Sequence, residues 1–219
     1  MLLPKEKKSR KVQPLRDPVS RNLLPFFLVN AGSPFVYQKD LRIAQRRITY
    51  TILYHVGLRL NEIRELTEKQ IMDAIAAAQF SIIYYKTRPA YNHILSKTAI
   101  QDLKNLKTEY IIVFEKYQYK YLFGKLRPVD QKTLIRTINK DLKNTSQKAN
   151  LPYNLKSHSF RINMITRLLQ NTSVQDAADI IGHRDIKSTM AYKQYALNKT
   201  EIQNLLNKID QQSYSSVIQ

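Results

Sequence analysis

The strongest constraint on how this chain folds is the stretch from Ser157 to Tyr195, SHSFRINMITRLLQNTSVQDAADIIGHRDIKSTMAYKQY, in which three short helical patterns are separated by clear stop and start signals. Ile162, Ile165, Leu168 and Leu169 recur at the spacing of one helix face, and Ser173 followed by Asp176 opens a second helix in the manner of a capping box. Gly182 stops that helix, and a third opens near Asp185 and Ser188. Four side chains of chemical interest sit at the joints. His158 and Arg161 precede or open the first helix, His183 follows the second, and Tyr192 rides on the third. Polar groups held at helix ends can converge on one anion, so the stretch reads as half of an active site.

Charge points to the same kind of partner. The chain has 219 residues with 36 Lys and Arg against 17 Asp and Glu, a net charge of +19, which is too lopsided for a protein that handles neutral or cationic partners. A polyanion is expected. Nucleic acid is favoured over an anionic membrane surface, because no apolar run approaches the ~20 residues of a membrane-spanning helix. With 0 Cys there is neither a disulfide framework nor a thiolate metal site, which fits a reducing, intracellular compartment.

Residues 1–37 carry Lys5, Lys7, Lys8, Arg10, Lys11, Arg16 and Arg21 among Pro4, Pro14, Pro18, Pro25 and Pro34, with little helical or alternating period. This segment reads either as a flexible basic arm trailing along DNA phosphates or as a solvated tail; an organelle-targeting peptide is a third reading, weakened by Glu6 and Asp17. From Asp40 a helix is expected, with Leu41, Ala44, Ile48, Ile52 and Val56 on its apolar face and Gly57 as its stop. Arg59 follows, and a short helix opens with Asn61 as a candidate cap and Glu62 in its first turn, where an acid suits the dipole.

Between Phe80 and Leu95 the pattern changes to a β-hairpin, FSIIYYKT and YNHIL around Arg88-Pro89-Ala90, with Lys86 at the end of its first strand. The run IIVF at 111–114 reads equally as a further strand or an irregular segment. A long helix is expected from Asp130 to about Lys148, with Leu134, Ile135, Ile138 and Leu142 on one face and Lys132, Arg136, Lys140 and Lys143 on another. A lysine stripe is more often a solvated face, but the net charge of +19 tilts this one toward DNA contact. A final amphipathic helix is expected through Ile202, Leu205, Leu206 and Ile209.

In this order the joints resemble one family. Gly57-Leu58-Arg59-Leu60-Asn61-Glu62 is similar to the first arginine box of the tyrosine recombinases, or phage integrases, and His158-Ser159-Phe160-Arg161 to their H-x-x-R box. Ile181-Gly182-His183 followed by Ser188-Thr189-Met190-Ala191-Tyr192 resembles the closing box, including the spacing from histidine to tyrosine, and Lys86 matches the hairpin lysine, the least specific of these signals. The resemblance covers roughly Asp40 to Ile209. It implies an α+β fold, mainly α-helical with a small antiparallel hairpin, the DNA breaking-rejoining catalytic domain, over residues 38–212, with a tail at 213–219. Two departures stand out. Ile162 occupies the place where the H-x-x-R box usually has a second histidine, and only the short basic segment stands where most members carry a helical DNA-clamping domain.

The resemblance further implies a chemistry that needs no metal or other cofactor. Arg59 and Arg161 would grip a phosphodiester and its transition state, with His183 donating a third hydrogen bond. His158 would either stabilise the phosphate or take the proton of Tyr192, the nucleophile that forms a covalent 3′-phosphotyrosine. Lys86 would protonate the departing 5′-oxygen. Tyr195 lies one turn beyond Tyr192 as a fallback nucleophile. The implied function is site-specific recombination or integration of double-stranded DNA by a homo-oligomer, a tetramer on paired sites, with no membrane partner. Two rivals remain open: a type IB topoisomerase that relaxes DNA as a monomer, and a non-catalytic DNA-binding remnant of an integrase. The abundance of Lys, Asn, Ile and Tyr hints at an A+T-rich genome such as that of a plastid, mitochondrion, plasmid or virus.

Overall fold

The computed structural model describes residues 23–31, 38–82, 91–152, 154–183 and 185–193. Its first element departs from the expected basic arm: α1 (Leu23–Val29) is a helix, and Leu24 and Phe27 are buried in the core. Pro25 sits in its first turn, where a missing N–H breaks no helical bond. Seven residues hold barely two turns, too few for a helical period to show, which is why the pattern reads as irregular. The rest of residues 1–37 lies outside the described residues, apart from Asn30 and Ala31.

The helix expected from Asp40 is α2 (Lys39–Val56), and it is covered on nearly all sides. It packs against α1, then against α5 (Lys97–Lys104), α6 (Lys107–Tyr110) and α8 (Ser157–Asn171). A helix surrounded in this way must satisfy the polar side chains it buries. Gln45 Nε2 donates to the Leu122 carbonyl at 2.7 Å, and Arg46 Nε pairs with Asp141 at 2.6 Å. Three rings lock α1, α2 and α8 together: Tyr50 stacks on Phe160 with centroids 5.9 Å apart, and Phe27 meets Phe160 edge-on at 6.2 Å.

After α2 come α3 (Leu60–Ile63) and α4 (Glu68–Ala77). The hairpin then pairs β1 (Gln79–Ile82) with β2 (Tyr91–Ile94), antiparallel, with Phe80 opposite His93 and Ile82 opposite Tyr91. The connection that carries Lys86 lies outside the described residues. The ambiguous run at 111–114 is not a strand but the start of a π-helical segment, Ile111–Lys116, continuing α6 and burying Val113 and Phe114. Helix α7 (Gln131–Lys148) starts where expected: Asp130 caps it, its Oδ2 accepting from the Thr133 N–H at 2.9 Å. Leu134, Ile138 and Leu142 are buried, while Lys132, Arg136, Lys140 and Lys143 are exposed. Helices α9 (Val174–Ile181) and α10 (Ile186–Met190) complete the described fold, which is mainly helical with one small antiparallel hairpin. The expected terminal helix at 202–209 falls outside the described residues.

Candidate active site

The two glycine stops do what their boxes need. Gly57 ends α2 with φ 69°, in the left-handed region, and its N–H returns to the Leu53 carbonyl at 3.1 Å. A Cβ there would meet Ile181 Cδ1 at 3.2 Å and Met164 Cβ at 3.3 Å, so the chain reversal also lets α2, α8 and α9 converge. Gly182 ends α9 with the same φ of 69°, and its Cα faces the ring of Tyr91 from β2.

Two residues past Gly57, Arg59 is itself the cap of α3, so Asn61 does not hold the position expected for it: it lies inside the helix, and its Oδ1 is buried with no hydrogen-bond partner among the described residues. Glu62 supplies the missing acceptor. Its carboxylate accepts from the Arg59 backbone N–H at 2.7 Å and from the Arg59 Nη1 at 3.0 Å, which holds the residue at its backbone and at its guanidinium while leaving 40 % of the side chain exposed.

Arg161, in the first turns of α8, is only 3 % exposed. Its Nη1 donates to the Gly57 carbonyl at 2.6 Å and its Nη2 to the Ile181 carbonyl at 3.2 Å. One guanidinium thus ties together the C-terminal ends of α2 and α9, where carbonyl dipoles favour a cation. His158 opens the same helix on its exposed side, with Nε2 3.0 Å from the Tyr192 hydroxyl. Tyr192 sits in the turn after α10, its N–H donating to the Thr189 carbonyl at 3.0 Å. His183 follows α9, its N–H bonded to the Ala178 carbonyl at 2.9 Å and its Nδ1 2.8 Å from Thr189 Oγ1. Thr189 is fully buried and joins His183 to the turn that presents Tyr192.

Arg161 is thus bonded to Gly57, two residues before Arg59, and to Ile181, two residues before His183, while His183 reaches Tyr192 through Thr189 and Tyr192 meets His158. Lys86 and Tyr195 lie outside the described residues. The basic face of α7 adjoins the site: Asn139 Oδ1 accepts from the Ser157 N–H at 2.8 Å, and Asn139 lies one turn from both Arg136 and Lys143. One group had no signal in the boxes. His93 on β2 is 3 % exposed, and burial first, then the charges of Arg161 and Arg59, push it down to about 4. A lone histidine in a short strand shows alternation but not which face is buried. Among the described residues no three His, Cys, Asp or Glu side chains are grouped to hold a metal ion, and no helix is long and apolar enough to cross a membrane.

The family model for the phage integrases matches residues 37–201, most of the chain and every box described above. The chain belongs to the phage integrase family. Solved structures of tyrosine recombinases share this fold at low identity. XerA recombinase aligns at 17 % identity with a TM-score of 0.63, over 89 % of this chain and 66 % of that one. XerH recombinase bound to its palindromic difH substrate, in a post-cleavage complex, aligns at 16 % identity and 0.60, over 87 % of this chain and 52 % of that one. The Tn1549 transposon integrase in complex with circular intermediate DNA aligns at 18 % and 0.59, over 88 % and 66 %. This chain spans about two thirds of the length of these structures or less. No curated protein matches the sequence.

Proposed function

We propose that the protein is a site-specific recombinase or integrase that cleaves and rejoins double-stranded DNA, with Tyr192 as nucleophile. The observation that carries this reading is the 3.0 Å approach of the Tyr192 hydroxyl to His158 Nε2, on the same helix turn that carries Arg161. A phenol is a weak nucleophile at neutral pH, and an imidazole nitrogen within hydrogen-bond reach can take its proton as it attacks. The attack joins tyrosyl oxygen to phosphorus, breaks the bond from phosphorus to the 5′-oxygen, and leaves a 3′-phosphotyrosine. Arg59, held by Glu62 but exposed at its tip, and Arg161 stabilise the non-bridging oxygens as charge builds on them. His183, steadied by Thr189, donates to the same oxygens. Lys86, on the connection between β1 and β2, gives its proton to the departing 5′-oxygen. The reverse attack by a 5′-hydroxyl reseals the strand, because the phosphotyrosine bond stores the energy of the one it replaced.

The basic face of α7, next to the start of α8, supplies contacts to the DNA backbone on one side of the cut. Several copies act together on paired sites, as strand exchange between two duplexes requires more than one nucleophile. The test is covalent capture on nicked duplexes from the ends of the host element, where the short downstream fragment diffuses away and traps the intermediate. A protein–DNA adduct is expected with the native chain and none with Tyr192→Phe, which keeps the ring but lacks the oxygen. An adduct that persists in that variant would refute the assignment.

A further inference from the structure

Close to the two arginines lies a buried group that this chemistry does not use. His93 Nε2 is buried with no hydrogen-bond partner among the described residues. A polar side chain kept in such a place calls for a reason. Its surroundings are defined element by element. On its own strand the Tyr91 ring meets it edge-on with centroids 4.9 Å apart, and Tyr91 lies in turn against Gly182, the residue before His183. Opposite it on β1 is Phe80, which carries no charge. The charges that act on it come from Arg161 of α8 and Arg59 before α3, and the carboxylate of Asp179 on α9 acts on the neighbouring Tyr91.

We propose that His93 is a further member of the anion site: its imidazole takes up a proton from water when a phosphate seats on Arg59 and Arg161, so that three cations from three segments share one anion. This rests on the reading of those arginines as the phosphate grip. Without an anion, burial and the two guanidinium charges keep His93 neutral, with a pKa of about 4 against the ordinary 6.5. An anion between the arginines reverses the sign of the local field, which favours the charged imidazole. Linkage is reciprocal, so the proton must strengthen anion binding by the same factor. His93 acts on the phosphate through the charge of the site and is a positioning residue, not a proton donor to the leaving group.

The test is an NMR titration of the full chain with labelled histidines, His93 being assigned through its backbone, so no variant is needed. It is run without anion, with sulfate, whose charge is constant over the range, and with a short DNA duplex of arbitrary sequence. The expected result is a midpoint near 4 in the free protein and a rise of at least ~1 pH unit with either probe, equal to a tenfold gain in proton affinity. Sulfate affinity should then rise ~tenfold more on acidification in the native chain than in His93→Gln, which keeps His158 and His183. If the probes perturb the Arg59 and Arg161 side-chain signals and the His93 midpoint does not move, this inference is overturned and the phosphate grip stands. If neither probe perturbs the arginines, the phosphate grip itself fails and His93 with it.

Discussion

The Tyr192 hydroxyl and His158 Nε2 stand 3.0 Å apart although the residues are separated by two helices and the turns between them. The contact closes a loop in which α8 supplies His158, α9 leads into His183, and α10 leads into the turn that carries Tyr192. Under the proposed mechanism, proton removal and nucleophile placement are set by the same packing.

His158→Gln should therefore reduce the rate of covalent capture ~10²–10⁴-fold, the usual range for a lost general base, with DNA affinity changed only a few-fold. Single-turnover capture against filter binding separates the two. A drop in affinity as large as the drop in rate would make His158 a phosphate contact instead.

The two arginines should respond differently to loss of the guanidinium fork. Arg161→Lys should lower both cleavage and stability, the latter by ~1–3 kcal/mol, because one ammonium cannot serve the Gly57 and Ile181 carbonyls together. Arg59→Lys should lower cleavage while leaving the urea midpoint nearly unchanged, since the Arg59 side chain is 40 % exposed. Equal destabilisation by both would contradict the structural role given to Arg161.

Binding to DNA should weaken by ~10³–10⁵ between ~50 and ~200 mM salt if ~6 to 10 phosphates are contacted. Arg136→Ala with Lys140→Ala should make the logarithmic slope shallower by ~2, at ~0.9 for each phosphate no longer neutralised. Removing residues 1–22 tests the basic arm; removing residues 1–37 would also strip α1 from the core. Slopes unchanged by both alterations would return the arm and the α7 face to the status of solvated surface.

Acid should destabilise the fold through His93. Above pH 6.5 it is neutral in both states; as pH falls through 6.5 the unfolded chain gains a proton that the folded chain refuses until about 4. Stability therefore falls with pH across that window, by roughly 3 kcal/mol at its full extent if all of the shift is realised. His93→Val should lack this component. Denaturant midpoints for the two proteins between pH 7 and pH 4 give the comparison, and parallel curves would refute it.

What can be read from the sequence is whatever is decided locally. Gly57, Gly182, Ser173 and Asp130 announce helix ends because a cap depends on a few neighbouring residues, and all four sit where they are expected. The spacing of the boxes carries the resemblance in the same way. What stays hidden depends on distant partners. Asn61 looks like a cap, but Glu62 reaching back to Arg59 makes Arg59 the cap instead. The apolar run after Tyr110 has no period that distinguishes a strand from a π-helical turn. His93 gives no sign because strand alternation does not say which face will meet the arginines. Helix α1 escapes a sequence reading because its one fully buried ring, Phe27, finds its partners on α2 and α8.

That last packing has a consequence for where the catalytic unit ends. The match to the family begins at residue 37, yet the Phe27 ring lies against Phe160, the immediate neighbour of Arg161. A protein cut at the family boundary would have a hole of phenyl size in the floor that supports its arginine, a defect that in other cores costs ~3–5 kcal/mol. The stretch that matches the family model is thus shorter than the stretch that fills the core, and its border runs through the middle of a packed layer.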